Sequence, residues 1–236
     1  MRRGRVGVGI APVRRPRRAT HEGKLSMKHW LILMGILGGA SAGVARGEPY
    51  WVAWEGDDFP ENEGWERRMN GEGPALRTLA DGVMNIDGLW STQVDDFYRL
   101  NRPLDPEAGE MFVMQWRLRV NEVIGNPLAL YDPGVGLFSD QDNELTLVFG
   151  VDFVRSYHEE GVVIPLGPGV FHEYEVRSSD MVNYELLIDG YPIHAGEFWT
   201  PNFRRSGVDW GDYARGAGSS ADWDYFRFGV VPEPAS

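Results

Sequence analysis

Residues 111–120 read Met-Phe-Val-Met-Gln-Trp-Arg-Leu-Arg-Val. Phe112, Met114, Trp116, Leu118 and Val120 fall on one side of an extended chain, and Gln115, Arg117 and Arg119 on the other, because side chains alternate across a strand. A helix would scatter the same apolar set around its circumference. The segment is therefore predicted as a strand whose apolar face, with Trp116, looks into a core. Outward from it, short alternating or β-branched runs recur at spacings of roughly 8 to 15 residues, separated by Gly, Pro, Asn and Asp, as in antiparallel sandwiches and jelly rolls. Further strands are predicted at 75–79, 83–86, 92–100, 135–139, 144–151, 153–157, 162–166, 170–177, 183–188, 191–195 and 223–231. No long helical period competes with them.

Two turns are fixed by their chemistry. Asp81-Gly82 and Asp189-Gly190 stand between apolar runs, and Asp-Gly supplies the positive φ angles of a tight hairpin. Asp140-Gln141-Asp142-Asn143-Glu144 has the look of a calcium-loop fragment, but it lacks the Gly and distal Glu of an EF-hand and is read as a hairpin turn. Ser206 to Ser220, rich in Gly, Ser and Asp, reads as a long functional or metal-ordered loop. With no internal repeat or long linker, one domain spans 48–230.

Residues 1–26, with seven Arg and one Lys among Gly, Pro and Val, carry no apolar period and read as a disordered upstream extension. From Met27 a short basic region (Lys28, His29), an apolar core (Trp30 to Leu37) and small residues (Gly38 to Ala42) follow the order of a secretory signal peptide, 27–47, with cleavage expected between Ala42 and Gly47. The apolar core is far short of the ~20 residues that span a bilayer, so no stable transmembrane anchor is expected. Residues 48–236 then hold 13 Arg, no Lys and 34 acidic residues, net −21. Such a charge disfavours nucleic acid as a partner, since phosphate binding needs clustered cations. There is no Cys, so export brings no disulfides, and stability rests on burial or on a bound ion.

Phe171-His172-Glu173-Tyr174-Glu175-Val176, followed by Tyr184-Glu185-Leu186-Leu187-Ile188-Asp189-Gly190, resembles the paired strands of the concanavalin A-like lectin/glucanase superfamily, whose members show a His-x-Tyr strand and then an aliphatic strand ending in Asp-Gly. Ala221-Asp222-Trp223-Asp224-Tyr225-Phe226-Arg227-Phe228 is similar to that family's last strand, and Asp57-Asp58-Phe59 to its opening. The resemblance implies an all-β, antiparallel β-sandwich of the concanavalin A-like, laminin G-like jelly-roll type. It also implies a structural calcium in which Asp224, on the last strand, matches a ligand position, with Asp57 and Asp222 as further candidates and Asp58, Asp209 and Asp212 within reach if the chain segments meet. At the end of the chain, Val231-Pro232-Glu233-Pro234-Ala235-Ser236 resembles the head of a PEP-CTERM sorting tail. The apolar helix and arginine cluster of such tails do not follow, so 231–236 is read as a truncated tail and handling by sorting machinery stays open.

Laminarinase-type hydrolases of this fold carry Glu-x-Asp-x-x-Glu, which alternation places on one strand face. This sequence has no such run. Glu173 and Glu175 share a strand face but read as a solvated polar surface; the Glu159-Glu160 pair does not share one. His172 reads as a hydrogen-bonded strand histidine rather than a titrating catalytic group. Eight tryptophans lie in 48–236. Trp116 and Trp223 are expected in the core, whereas Trp90, Trp199 and Trp210 stand beside Gly, Pro or Asp in predicted loops, where an aromatic face can stack on a sugar. The reading is a secreted or cell-surface, non-catalytic β-sandwich that binds glycan or extracellular polysaccharide. A divergent laminarinase-type hydrolase and a structural adhesion protein without a small ligand remain open alternatives.

Overall fold

The computed structural model describes residues 50–125, 133–159, 161–200, 205–213 and 216–233. The segments read as an upstream extension, 1–26, and as a signal peptide, 27–47, and the last three residues of 231–236 lie outside the described residues. In chain order the strands are β1 (Tyr50–Trp54), β2 (Glu66–Gly71), β3 (Leu76–Ala80), β4 (Val83–Asp87), β5 (Val94–Leu100), β6 (Glu110–Gly125), β7 (Gly134–Phe138) and β8 (Glu144–Phe149), then β9 (Phe153–Ser156), β10 (Val163–Pro165), β11 (His172–Ser178), β12 (Asn183–Ile188), β13 (Tyr191–Glu197), β14 (Gly207–Tyr213) and β15 (Ala217–Pro232). One 3-10 turn, Pro60–Glu63, joins β1 to β2.

Two antiparallel sheets stack face to face. One runs β13-β12-β11-β6-β15-β4-β3, with β1 also paired to β15; the other runs β10-β9-β8-β7-β14-β5-β2. The chain changes sheet at β1 to β2, β2 to β3, β4 to β5, β5 to β6, β6 to β7, β10 to β11, β13 to β14 and β14 to β15, the winding of a jelly roll.

The alternation read at 111–120 holds in space: Phe112, Met114, Trp116, Leu118 and Val120 are all buried. Tyr174 of β11 lies opposite Trp116, and their rings stack at 5.4 Å. In β15 the register shifts between Trp223 and Tyr225. Asp224 is the extra residue of that bulge, and it lets Trp223, Phe226, Phe228 and Val230 all face inward although their spacing breaks the period of two. Both Asp-Gly turns form as expected, with φ of 53° and 80° at Asp81 and Gly82 and of 52° and 79° at Asp189 and Gly190. The Asp140 segment is the turn between β7 and β8, closed by Ser139 N–H donating to the Asn143 carbonyl.

Three expectations need correction. Ser206 to Ser220 is not a long loop: its first half is β14, paired on both sides by β5 and β7, and residues 217–220 extend β15 alongside β6. The glycines that suggested a loop sit where strand backbones approach closely; at Gly211 a Cβ would lie 2.8 Å from the Asp96 carbonyl oxygen. Trp210 is in the middle of β14 and fully buried, not in a loop. The sorting-type tail begins inside the sheet, because Val231 and Pro232 pair with Met111 and Glu110 and Glu233 N–H donates to the Gly109 carbonyl.

The core is aromatic. Trp210 packs against Trp54 at 5.0 Å, Tyr98 at 4.8 Å, Trp223 at 4.9 Å and Phe226 at 5.3 Å. Removing so large a buried ring leaves a cavity that the two sheets cannot close. Trp210→Ala is expected to cost about 3–5 kcal/mol of unfolding free energy, whereas Trp90→Ala, on the surface, should stay within about 0.5 kcal/mol. Equilibrium urea unfolding of both variants checks the contrast.

Candidate functional site

The outward face of the seven-stranded sheet carries a groove of about 350 Å³. Its position follows from alternation. In β5, Asp95, Phe97 and Arg99 point outward while Val94, Asp96 and Tyr98 point inward; in β14, Asp209, Gly211 and Tyr213 point outward opposite Val208 and Trp210. Gly136 and Phe138 of β7, Glu144 and Thr146 of β8 and Asn70 of β2 complete that face, with Arg205 just ahead of β14. The floor is low because its centre is glycine: a Cβ on Gly136 would lie 2.9 Å from the Phe138 ring and 3.6 Å from the Tyr213 hydroxyl.

Across the floor the charges are paired. Arg99 grips Asp209 with both arms of its guanidinium, Nε to Oδ1 at 2.8 Å and Nη2 to Oδ2 at 2.6 Å. Asp209 is 1% exposed. Arg205 also reaches Asp209, at 3.4 Å, and its guanidinium lies 3.3 Å above the centre of the Phe138 ring. Burial lowers the proton affinity of Arg205 below the ordinary arginine range, against the opposing pull of Asp209; a guanidinium stays charged even so. Burial, reinforced by the Asp209 charge, pushes the Tyr213 phenol well above its usual value, so it remains a hydroxyl. Phe97 and Tyr213 stack at 4.8 Å to form one wall.

At the other end stands Glu144, 4% exposed. The Thr146 hydroxyl donates to its Oε1 at 2.7 Å, and His158 Nε2 lies 3.3 Å from the same oxygen. Its Oε2 is buried without a hydrogen-bond partner. Trp199 is bonded to Glu144 in both directions, Glu144 N–H to the Trp199 carbonyl at 2.7 Å and Trp199 N–H to the Glu144 carbonyl at 2.9 Å. The Trp199 ring stacks on His158 at 4.2 Å and is 43% exposed.

Of the three tryptophans singled out from the sequence, Trp199 stands at the Glu144 end of the groove. Trp90 is 50% exposed in the connection leading into β5, beyond the Asp95 end, with Gly73 beneath its ring. Trp210 belongs to the core and offers no face to a ligand. The candidate calcium ligands do not converge. Asp224 is paired with Arg117. Asp222 accepts from Arg119 Nε at 3.1 Å and from Asn85 at 2.8 Å. Asp57 lies exposed in the turn after β1. A guanidinium against each of the two strand carboxylates supplies the positive charge that a cation would bring, and among the described residues no group of three acidic or histidine side chains is placed to hold a metal. These residues do not fit a calcium ion. Asp209 and Asp212 lie on β14, and only Asp209 faces the groove.

His172 is a structural histidine, with Nδ1 2.7 Å from Asp189 and Nε2 3.3 Å from the Gly167 carbonyl. Glu175 accepts from Gln115 at 2.6 Å and is paired with Arg177, while Glu173 is bonded to Tyr225. Glu159 is held by His194 at 2.7 Å and by Tyr184 at 3.1 Å. Sequence reading missed the groove residues Phe97, Arg99, Phe138, Glu144, Thr146 and His158 as a set. The available signal was the alternation of 207–213, Val208 and Trp210 inward against Asp209 and Gly211 outward.

No protein-family model matches the chain, and no curated protein does. Solved structures do. The chain is similar to a carbohydrate esterase of the Shiga toxin-encoding bacteriophage phi24B, with TM-score 0.53 and 13% identity over 77% of this chain and 98% of that one. It is also similar to a protein of unknown function from Shewanella oneidensis MR-1, with TM-score 0.50 and 13% identity over 80% and 90%. The fold is an all-β, antiparallel two-sheet sandwich of the jelly-roll type. A weaker likeness, TM-score 0.47 at 14% identity over 78% and 99%, is to a β-1,3-1,4-glucanase (lichenase) from a mouse hindgut metagenome. At such identities the likeness to the first two speaks for the fold alone. Among the described residues no helix is long and apolar enough to cross a membrane.

The Asp222 pair gives the sheet a pH dependence. Burial by itself raises the carboxyl, but hydrogen bonds from Arg119 and Asn85 outweigh it and hold the folded value below the ordinary one. A lowered folded value stabilises above the unfolded pKa of about 3.9 and is lost as pH falls through the folded value. Asp222→Asn is expected to cost on the order of 1 kcal/mol at pH 7. Urea titrations at successively lower pH should show its difference from the unaltered protein closing below about pH 4.

Proposed function

We propose that the protein is an exported carbohydrate-binding β-sandwich that holds a glycan in the groove between Asn70 and Glu144, without cleaving it. One observation carries the reading: a glycine-floored groove walled by Tyr213 on Phe97, flanked by the half-exposed Trp199, and rimmed by Asn70, Asp95, Thr146 and Glu144. A pyranose presents an apolar C–H face and a girdle of hydroxyls. Flat aromatic rings beside planar hydrogen-bonding groups are the complement of that shape. Export is supported by the basic, apolar and small-residue order of 27–47, and a role in an extracellular polysaccharide matrix by the sorting-type sequence at 231–236.

Hydrolysis is the weaker reading. Asp209 is committed to Arg99 and Arg205, so it is a poor partner for Glu144 in acid/base work. Nor do Thr146, Glu144 and His158 make the relay that an esterase uses. There the hydroxyl is activated by the imidazole, whereas here the Thr146 hydroxyl donates to the carboxylate.

The test is a glycan-array screen of the purified protein followed by titration of the best ligand. Trp199→Ala should weaken binding about tenfold, roughly 1.4 kcal/mol, with stability intact. Trp90→Ala, beyond the far end, should weaken only ligands long enough to span the groove. Binding to no glycan on the array would overturn the reading, and release of reducing sugar or acyl groups that disappears in Glu144→Gln would overturn its non-catalytic part.

A further inference from the structure

We infer that Glu144 sets the specificity of the groove, selecting uncharged glycans by offering a buried carboxylate oxygen to sugar hydroxyls and rejecting sugars that carry carboxylates or sulfates. The inference rests on the carbohydrate-binding reading above and adds the ligand class.

Glu144 has one carboxylate oxygen engaged and one without a partner. Oε1 is occupied by Thr146 and His158, and the backbone is clamped by Trp199 on both sides, so the side chain is held in place by its neighbours. Oε2 remains, buried and without a partner, in a residue that lines the groove. An ionised carboxylate oxygen only accepts, and a buried acceptor left without a donor is costly. A ligand that places a hydroxyl there satisfies it. A uronate or sulfate placed there adds a second negative charge next to one already out of water, which is disfavoured.

The arginines of the groove do not reverse the sign. Arg99 is taken up by Asp209 in a two-armed pair, and Arg205, which lies on the Phe138 ring, shares its charge between Asp209 and Glu144, so neither is a free cation for an anionic sugar. Among the described residues of the lining, Asp95, Asp209 and Glu144 stand against Arg99 and Arg205, one acid in excess. The net charge of −21 carried by residues 48–236 works in the same direction.

Matched ligands isolate the charge. The purified protein is titrated with neutral glucan, mannan and galactan oligosaccharides and with the same three oxidised at C6 to uronates, using both the unaltered protein and Glu144→Gln, whose amide keeps the shape and removes the charge. At least one neutral oligosaccharide should bind ten or more times tighter than its oxidised form, and Glu144→Gln should bring the pair to within about threefold, chiefly by admitting the uronate. Equal binding of the matched pair, tighter binding of the uronate, or undiminished selectivity in a folded Glu144→Gln would overturn the inference while leaving the carbohydrate site standing. Binding of none of the six would overturn the carbohydrate reading and this inference with it. If Glu144→Gln does not fold, the unaltered protein decides. A neutral oligosaccharide should still bind ten or more times tighter than its uronate at 0.5 M salt as at 0.05 M, because a charge held out of water is screened little, and a preference that vanishes at 0.5 M, as that of an exposed charge would, would overturn the proposal.

Discussion

The indole of Trp210 is where the two sheets are pinned together. It projects inward from β14, in the middle of one sheet, and meets Trp54, Trp223 and Phe226 from the other. With no Cys in the chain and a large negative charge opposing compaction, apolar burial has to supply the stability. Ring area is the device used. Each large aromatic removes about 150–250 Å² from water, worth roughly 4–6 kcal/mol at about 25 cal/mol per Å². That exceeds the ~1–3 kcal/mol lost when an indole N–H is buried without an acceptor, as those of Trp65, Trp116, Trp210 and Trp223 are. Packing therefore wins over hydrogen bonding in this core.

The same strand sets the outer face. Because Trp210 must point inward, Asp209 and Gly211 must point outward, and a shift of one residue would exchange the two sets. Asp209 is then almost wholly shielded on a sheet surface, and Arg99 from the neighbouring strand neutralises it. The pattern recurs: Asp96 is buried beneath Arg67 and also accepts from Ala75 N–H, and Asp222 lies beneath Arg119. That every cation of residues 48–236 is Arg and none Lys agrees with this use, since a planar fork satisfies both oxygens of a carboxylate and is less strongly hydrated than an ammonium. Such pairs add little net stability. What they do is let carboxylates sit in the sheet without carrying unpaired charge, and so keep strand register compatible with both faces.

Much of the fold was legible because its signals are local. The alternation of 111–120 and the two Asp-Gly turns depend on residues within a few positions of one another, and the structure has them where the sequence places them. β14 was not legible as a strand. Gly207, Gly211 and Asp209 lower its strand propensity, and what overrides that propensity is pairing on both sides with β5 and β7, distant in sequence. Trp210 was misplaced with it. The groove was illegible for the same reason, since Arg99, Phe138, Glu144 and Asp209 come from four strands and become neighbours only through the strand order. Trp199 was legible as an exposed aromatic, but its link to Glu144 and His158 was not. For the aspartates 222 and 224 the distant partners are cations. Their resemblance to a metal-binding strand was read from acids alone, while the arginines that occupy them lie about a hundred positions earlier.

The groove and the core are consequences of one another. Strand β7 supplies Val135 and Leu137 to the core and Gly136 to the floor, and β8 supplies Leu145 and Leu147 to the core and Glu144 and Thr146 to the rim. A side chain on Gly136 would collide with the Phe138 ring, so the floor can be raised only by displacing the wall. Rigid strands with inward anchors hold the rim groups at fixed separations, which lowers the ordering cost of binding. The 157–159 segment links the two sheets: His158 reaches Glu144 at the groove corner and Glu159 reaches away to His194 and Tyr184. Two adjacent side chains thereby tie that segment to both sheets, and Trp199, resting on His158, inherits its position from them. The aromatic face of the site is thus fixed by polar contacts, and its polar floor by aromatic packing.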